Sequence, residues 1–92
     1  MSKKSIVNEI AKKNGLTQAQ TLQVVNDFLE MVVENVAAGE RIQFTGFGTF
    51  EAVKQKARMV YNPTEREMKE VPEKFVPKFR PSKTFKDAVA KQ

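Results

Sequence analysis

The sequence predicts an α+β fold: an N-terminal helical hairpin, a three-stranded antiparallel sheet drawn out into an extended β-ribbon arm, and a short C-terminal helix. Three observations predict it. Apolar residues recur at helical spacing as far as Ala38, the pattern changes to strict alternation from Arg41, and residues 54–74 hold too few core-type side chains to be buried. The 92 residues, 40% of them apolar, suit a single domain, with a helical part over 1–40, sheet and arm over 41–81, and a last helix over 82–92.

Ser2 is placed to cap a first helix whose apolar residues Ile6, Val7, Ile10 and Ala11 fall three and four apart, and Gly15 supplies its stop. Thr17-Gln18-Ala19-Gln20 reads as a capping box that opens a second helix, running to about Ala38 before Gly39. So short a connection makes the two helices a hairpin. On the second helix Leu22, Val25, Leu29, Val32 and Val36 form one stripe, with Val24, Phe28 and Met31 beside it. The apolar arc spans roughly 200°, twice the ~100° of an ordinary surface helix, so part of it is expected to meet the same helix of a second chain in an isologous dimer.

Arg41-Ile42-Gln43-Phe44-Thr45 alternates as a strand does, and Gly46-Phe47-Gly48 supplies a turn or bulge. A second strand from Thr49 continues without Pro or Gly to Tyr61, Asn62-Pro63 gives a turn, and the chain returns through Glu65 to Phe79. Pro72 and Pro77 on that return are admissible only at an edge or a break. Ser82 caps a final helix carrying Phe85, Ala88 and Val89 on one face, which is too short to be stable undocked.

Composition excludes much chemistry. With no Cys and no His, disulfides, thiol nucleophiles, imidazole bases and the usual zinc sites are absent, and no cofactor is expected. No run approaches the ~18 apolar residues of a membrane span, and the N-terminus has no apolar stretch of the secretory kind, so a soluble cytoplasmic protein is expected. The acids lie mostly on a polar helix face or on the ribbon, with no sign of a water-excluding cleft, so an enzyme is the least favoured class.

The formal charge of +5 is unevenly placed. Residues 1–40 carry four Lys against five acids, whereas residues 41–92 carry twelve Lys and Arg against six acids. A basic C-terminal half favours a polyanionic partner, because neutralising phosphates releases counterions. Lys3, Lys4, Lys12 and Lys13 scatter around the first helix, which argues against a membrane surface as that polyanion. Lys54, Lys56 and Arg58 alternate, so in a strand they emerge from one face about 7 Å apart, close to the spacing of successive phosphates. A basic strand face is otherwise an edge that deters aggregation, but this one lies on a ribbon with no core to serve. Arg66, Lys69, Lys74, Lys78 and Arg80 add charge on the return strand, partly cancelled by Glu65, Glu67, Glu70 and Glu73, and Lys83 and Lys86 lie near the start of the last helix. Pro63 has an ordinary explanation as a turn residue; its functional alternative is a rigid apolar wedge that enters between base pairs from the minor groove.

The order helix, helix, strand, Gly46-Phe47-Gly48-Thr49-Phe50, basic ribbon, Asn62-Pro63, strand, Pro77-Lys78-Phe79-Arg80-Pro81-Ser82-Lys83, short helix resembles the bacterial HU and integration host factor proteins over essentially the whole chain. The resemblance implies an intertwined dimer whose two arms embrace the minor groove of double-stranded DNA and bend it with little sequence preference, in association with the nucleoid. Its arm motif falls on Ala57, Arg58, Asn62 and Pro63, with Pro63 as the intercalating residue, and its motif before the last helix falls on Pro77, Phe79 and Lys83. The DNA-contacting set expected is Lys54, Lys56, Arg58, Tyr61, Asn62, Pro63, Arg66, Lys69, Lys74, Lys78, Arg80, Lys83 and Lys86. The dimer seam is expected at Val24, Phe28, Met31, Val32, Phe44, Phe47, Phe50 and Phe79, the partner being an identical chain or a paralogue. Four positions depart from the family pattern: Val60-Tyr61 stands where Gly-Arg is usual, Arg66 where a glycine follows, and Phe75 where Lys is common. A basic tip contact is thereby lost, and Arg66 makes a left-handed backbone less comfortable.

Two other readings compete. Thr45-Gly46-Phe47-Gly48-Thr49-Phe50 superficially echoes the aromatic motif of single-stranded RNA-binding sheets, but that fold alternates strands and helices, whereas here two helices precede every strand. A structural dimerisation domain with an idle basic ribbon is the other, and only a salt-independent response to duplex DNA would favour it.

Overall fold

The structure, a computed structural model, describes residues 1–91, which divide into two compact units, residues 1–34 and residue 35 onward. The division falls inside the second helix.

In the first unit, α1 (Lys3–Asn14) begins where Ser2 Oγ accepts the amide of Ser5 at 3.3 Å and ends at Gly15, whose φ of 66° lets its N–H return to the carbonyl of Ala11. Lys12 and Lys13 sit in the last turn, at the negative end of the helix dipole. The capping box at the start of α2 (Gln18–Ala37) is complete, because the Gln20 amide donates to Thr17 Oγ1 and the Thr17 amide to Gln20 Oε1, both at 3.0 Å. Lys3 Nζ donates to Asn26 Oδ1 at 2.9 Å across the hairpin. Val7, Ala11 and Thr21 are buried, the Thr21 hydroxyl satisfied by the carbonyl of Thr17. The rest of the apolar arc is poorly covered: Leu22, Val24, Phe28, Leu29, Met31 and Val33 are all exposed, and Val25 and Val32 are half-buried.

The second unit begins with the end of α2, where the amides of Glu40 and Gly39 return to the carbonyls of Asn35 and Val36 in a Schellman motif. Five strands follow: β1 (Ile42–Phe44), β2 (Gly48–Gln55), β3 (Arg58–Asn62), β4 (Glu67–Val71) and β5 (Lys74–Pro81). β1, β2 and β5 form an antiparallel sheet in the order β1-β2-β5, and β3 pairs with β4 alone. The edge position of β5 is what admits Pro77 in mid-strand, opposite Ala52.

The strand expected to run unbroken from Thr49 to Tyr61 is interrupted at Lys56-Ala57, and the return strand at Pro72-Glu73. The register does not slip across the gap. Gln55 pairs with Lys74 on one side and Arg58 with Val71 on the other, so two residues are skipped on each strand and Ala57 falls opposite Pro72. Pro72 has no N–H to donate, which accounts for the lost rungs on its side of the ladder. The ribbon is therefore one hairpin with a joint in it.

Five phenylalanines close the sheet against α3 (Lys83–Ala90). Phe79 lies with its ring centroid 4.8 Å from that of Phe50, Phe47 lies 5.3 Å from both Phe79 and Phe85, and Phe44 lies 6.1 Å from Phe50 in an edge-on contact. Contacts of this kind contribute about 0.5–1.5 kcal/mol each beyond their buried area. Ser82 caps α3 through Phe85 N and its own amide donates to the carbonyl of Phe47 at 2.9 Å, so the helix start is fixed to the β1–β2 turn. Among the described residues the only buried apolar side chains are Val7, Ala11 and Val36, and no helix is long and apolar enough to cross a membrane.

Candidate nucleic-acid interface

Directly opposed residues of an antiparallel pair share a face, so the register sorts the expected cationic residues into groups. Lys74, Lys78 and Arg80 stand opposite Gln55, Glu51 and Thr49, on one face of the sheet. Lys54 stands opposite Phe75, on the other face, the one that carries Phe50 and Phe79 further down. Lys56 lies in the joint, and Arg58 follows opposite Val71. The sheet thus does not place Lys54 with Lys74, Lys78 and Arg80.

Local ion pairs distinguish these charges further. Glu51 is bridged by two guanidinium groups, Arg80 Nε to Oε1 at 2.6 Å and Arg41 Nε to Oε2 at 3.5 Å. That arrangement leaves one net positive charge and orients both arginines over the β2–β5 face. Arg41 was not singled out in the sequence, because its link to Arg80 exists only once β1, β2 and β5 are in register. Lys54 meets Glu73 at 3.0 Å, and Lys69 meets Glu65 within the tip. These exposed pairs are worth at most about 1 kcal/mol each. Lys56, Arg58, Arg66, Lys74, Lys78, Lys83 and Lys86 are all exposed and make no ion pair among the described residues.

The tip is a four-residue loop closed by the Asn62–Glu67 pair. Asn62 Oδ1 accepts the amides of Thr64 at 3.0 Å and Glu65 at 3.4 Å, an Asx turn that leaves Pro63 exposed at the far end of the ribbon. Asn62 thereby holds the loop. Arg66 takes a φ of 54°, so the position where a glycine is usual is left-handed here despite its side chain. Arg66→Gly is expected to stabilise the tip by about 0.5–1 kcal/mol, the relieved backbone cost outweighing the extra freedom of the unfolded chain. Amide exchange at Thr64 and Glu67 should slow; faster exchange would mean that the arginine side chain holds the loop.

Beside Pro63 the ribbon carries apolar side chains that serve no core. Tyr61 pairs with Met68, and Met59 lies two residues back on the same face. Tyr61 and Met59 are each 57% exposed and Met68 is 53% exposed. Met59 and Met68 were not singled out in the sequence, because their meeting with Tyr61 depends on the pairing of the two strands. Among the described residues no group of three or more acids could hold a metal ion.

Helical hairpin, small sheet, jointed two-stranded arm and cationic surface together define an arm-bearing nucleic-acid-binding protein. The chain belongs to the family of bacterial DNA-binding proteins, whose sequence pattern matches residues 1–90. It is 39% identical over 89 residues to the DNA-binding protein HU of Thermotoga maritima, with 97% of this chain and 99% of that one aligned. It is 41% identical over 88 residues to HU of Lactococcus lactis, covering 96% and 97% of the two chains. Among solved structures, an Anabaena HU–DNA cocrystal structure superposes with a TM-score of 0.95 at 36% identity over the whole of both chains. HU of Thermotoga maritima gives 0.67 at 29% identity, covering 97% of this chain and 98% of that one. These relationships favour neither the RNA-binding reading nor the idle dimerisation domain.

Proposed function

We propose that this chain is a histone-like architectural protein, one HU-like unit that binds duplex DNA through its phosphates and minor groove, with little sequence preference, and bends it at the nucleoid without catalysis or cofactor. The observation that carries this reading is the jointed ribbon itself, which displays cations along its length and Pro63 at its tip, in a chain that superposes over its full length on the Anabaena HU–DNA cocrystal structure. Lys54, Lys56, Arg58, Lys74, Lys78, Arg80, Lys83 and Lys86 supply phosphate contacts, which position the protein but carry no sequence information. Pro63 wedges into one base step. Unstacking that step costs a few kcal/mol, and the resulting bend offsets it by bringing more phosphate against the sheet and α3.

The working species is an intertwined homodimer. Val24, Phe28 and Met31 on α2 remain exposed with Val32 half-buried beside them, and in the second unit Phe47 is 45% exposed although its ring meets Phe44, Phe50, Phe79 and Phe85. A second copy covers both surfaces.

The test is a titration of unrelated duplexes at 50 and 200 mM salt, with duplex ends labelled for energy transfer. A protein neutralising 6–10 phosphates should lose on the order of 10³–10⁵ in affinity across that interval. Pro63→Ala should reduce the bend more than the affinity. Binding indifferent to salt would overturn the phosphate reading, and an undiminished bend would remove the wedge from Pro63.

A further inference from the structure

We propose that the arm tip grips DNA chiefly by apolar contact, with Met59, Tyr61 and Met68 forming a pad that seats on the deoxyribose rings of the minor groove beside the step entered by Pro63. The proposal rests on the DNA-binding reading above and assigns the tip a role distinct from that of the cationic surface.

Charge is the first observation. Over residues 58–71 the cations Arg58, Arg66 and Lys69 are matched by Glu65, Glu67 and Glu70, so the tip is formally neutral, and Lys69 is further tied to Glu65. The net charge of the C-terminal half therefore lies outside residues 58–71, on the three-stranded sheet with Arg41 and on residues 83–91, since Lys56 and Glu73 cancel in the joint. A tip built to hold phosphates would carry an excess of positive charge, and its three carboxylates would be a liability against a polyanion.

The second observation is what stands in place of that charge. The Tyr61–Met68 rung and Met59 expose three large apolar side chains on one face of a two-stranded ribbon that has no second layer to cover them. Exposed apolar side chains gathered in one place mark a contact surface. The thioethers are flexible and polarisable, suited to an irregular wall, while the tyrosine ring is rigid and amphipathic. The pad is continuous with Pro63 through Asn62, and the loop is held by the Asx turn, so a ribbon that inserts Pro63 carries the pad into the same groove. The floor and walls of the minor groove offer sugar rings, which are apolar and uncharged, and Glu70 at the far end of the pad limits how deep the apolar contact extends, since Met59 stands opposite it.

The consequence is a division of labour visible in salt dependence. Phosphate contacts set the slope of affinity against salt, whereas apolar contact shifts affinity by the same factor at every salt concentration.

Tyr61 is the one tyrosine in a chain without tryptophan, so its emission reports on the pad directly. Full-length protein should be titrated with a defined duplex across a salt series as wild type, Tyr61→Ala, Met68→Ser and Lys74→Ala. Tyr61→Ala and Met68→Ser are expected to weaken binding severalfold to about tenfold by a factor constant across salt, on the scale of single contacts between aromatic side chains and nucleic acid. Lys74→Ala should instead flatten the slope by about one unit. Wild-type tyrosine emission should change on binding and become protected from acrylamide. If Tyr61→Ala binds as tightly as wild type, or changes the slope as Lys74→Ala does, the pad proposal is overturned while DNA binding stands. If Tyr61→Ala and Met68→Ser leave DNA binding intact but abolish a concentration-dependent association of the free protein, the pad belongs to a second copy and the proposal fails. Wild-type protein that binds no duplex would overturn the functional reading and the pad together.

Discussion

Gly48→Ala should destabilise the folded protein by about 1–3 kcal/mol, the range typical of overpacking a filled site, and lower its melting temperature by roughly 5–20 °C at equal chain concentration. Gly48 opens β2 directly after the β1–β2 turn, paired with Pro81. A methyl group built there would lie 2.5 and 2.6 Å from two carbons of the Phe79 ring and 2.7 Å from the carbonyl oxygen of Arg80. Neither neighbour can yield cheaply. Phe79 is held within the aromatic cluster by contacts with Phe47, Phe50 and Phe85, and Arg80 is fixed by its ladder and by Glu51. The glycine is required here for close approach of the ring rather than for an unusual backbone angle. Phe79→Leu supplies a check, because it removes the ring atoms that the methyl would strike. The double variant should be more stable than the two single losses added together, and additivity within about 0.5 kcal/mol would mean that the ring is not the obstacle. An unchanged denaturation midpoint for Gly48→Ala would show that the turn shifts freely.

What was legible in the sequence and what was not follows from how far each feature reaches along the chain. The cap at Ser2, the Thr17–Gln20 box, the left-handed stop at Gly15 and the cap at Ser82 are each decided within about four residues, and all four form as the sequence predicts. The turn at Asn62-Pro63 is equally local. A break at Pro72 was admissible from the sequence, but the matching break at Lys56-Ala57 was not legible, because those two residues contain nothing that breaks a strand and Pro72 meets Ala57 only when the two strands pair. The face shared by Lys54, Lys56 and Arg58 was read from alternation alone, but which other cations join it depends on register, and that register sends Lys74, Lys78 and Arg80 to the opposite side from Lys54. Arg41 and Met68 escaped notice for the same reason. One local conflict was foreseen and is present: the tip adopts a left-handed backbone at Arg66 despite the side chain, because a four-residue loop closed by the Asn62–Glu67 pair leaves that residue little alternative.

Phe28→Lys should split the proposed dimer, raising its dissociation constant by at least about a thousandfold, since burying an unpaired ammonium costs several kcal/mol and exceeds what the interface regains elsewhere. Symmetry doubles the effect. In an isologous seam each substitution appears twice, and two lysines from equivalent positions on facing α2 helices also repel one another. Phe28 lies among exposed apolar residues, with Val24 63% exposed, Met31 61% exposed and Leu29 45% exposed, and the positions three and four away from it on α2 are Val24, Val25, Met31 and Val32, so no acid stands on the same helical face to pair with the new charge. Dissociation should carry a stability loss with it. If the proposed dimer forms, a chain whose buried apolar side chains are only Val7, Ala11 and Val36 among the described residues would draw much of its folded stability from association, so the separated chains should lose helical signal and melt at lower temperature. Sedimentation velocity at several concentrations distinguishes this outcome from simple misfolding when Phe28→Leu is run beside it. The leucine variant keeps the apolar face and should remain dimeric, with only a modest loss for the smaller side chain. If Phe28→Lys sediments as an intact dimer, Phe28 lies outside the seam, and the subunits must associate through the surface around Phe47 instead.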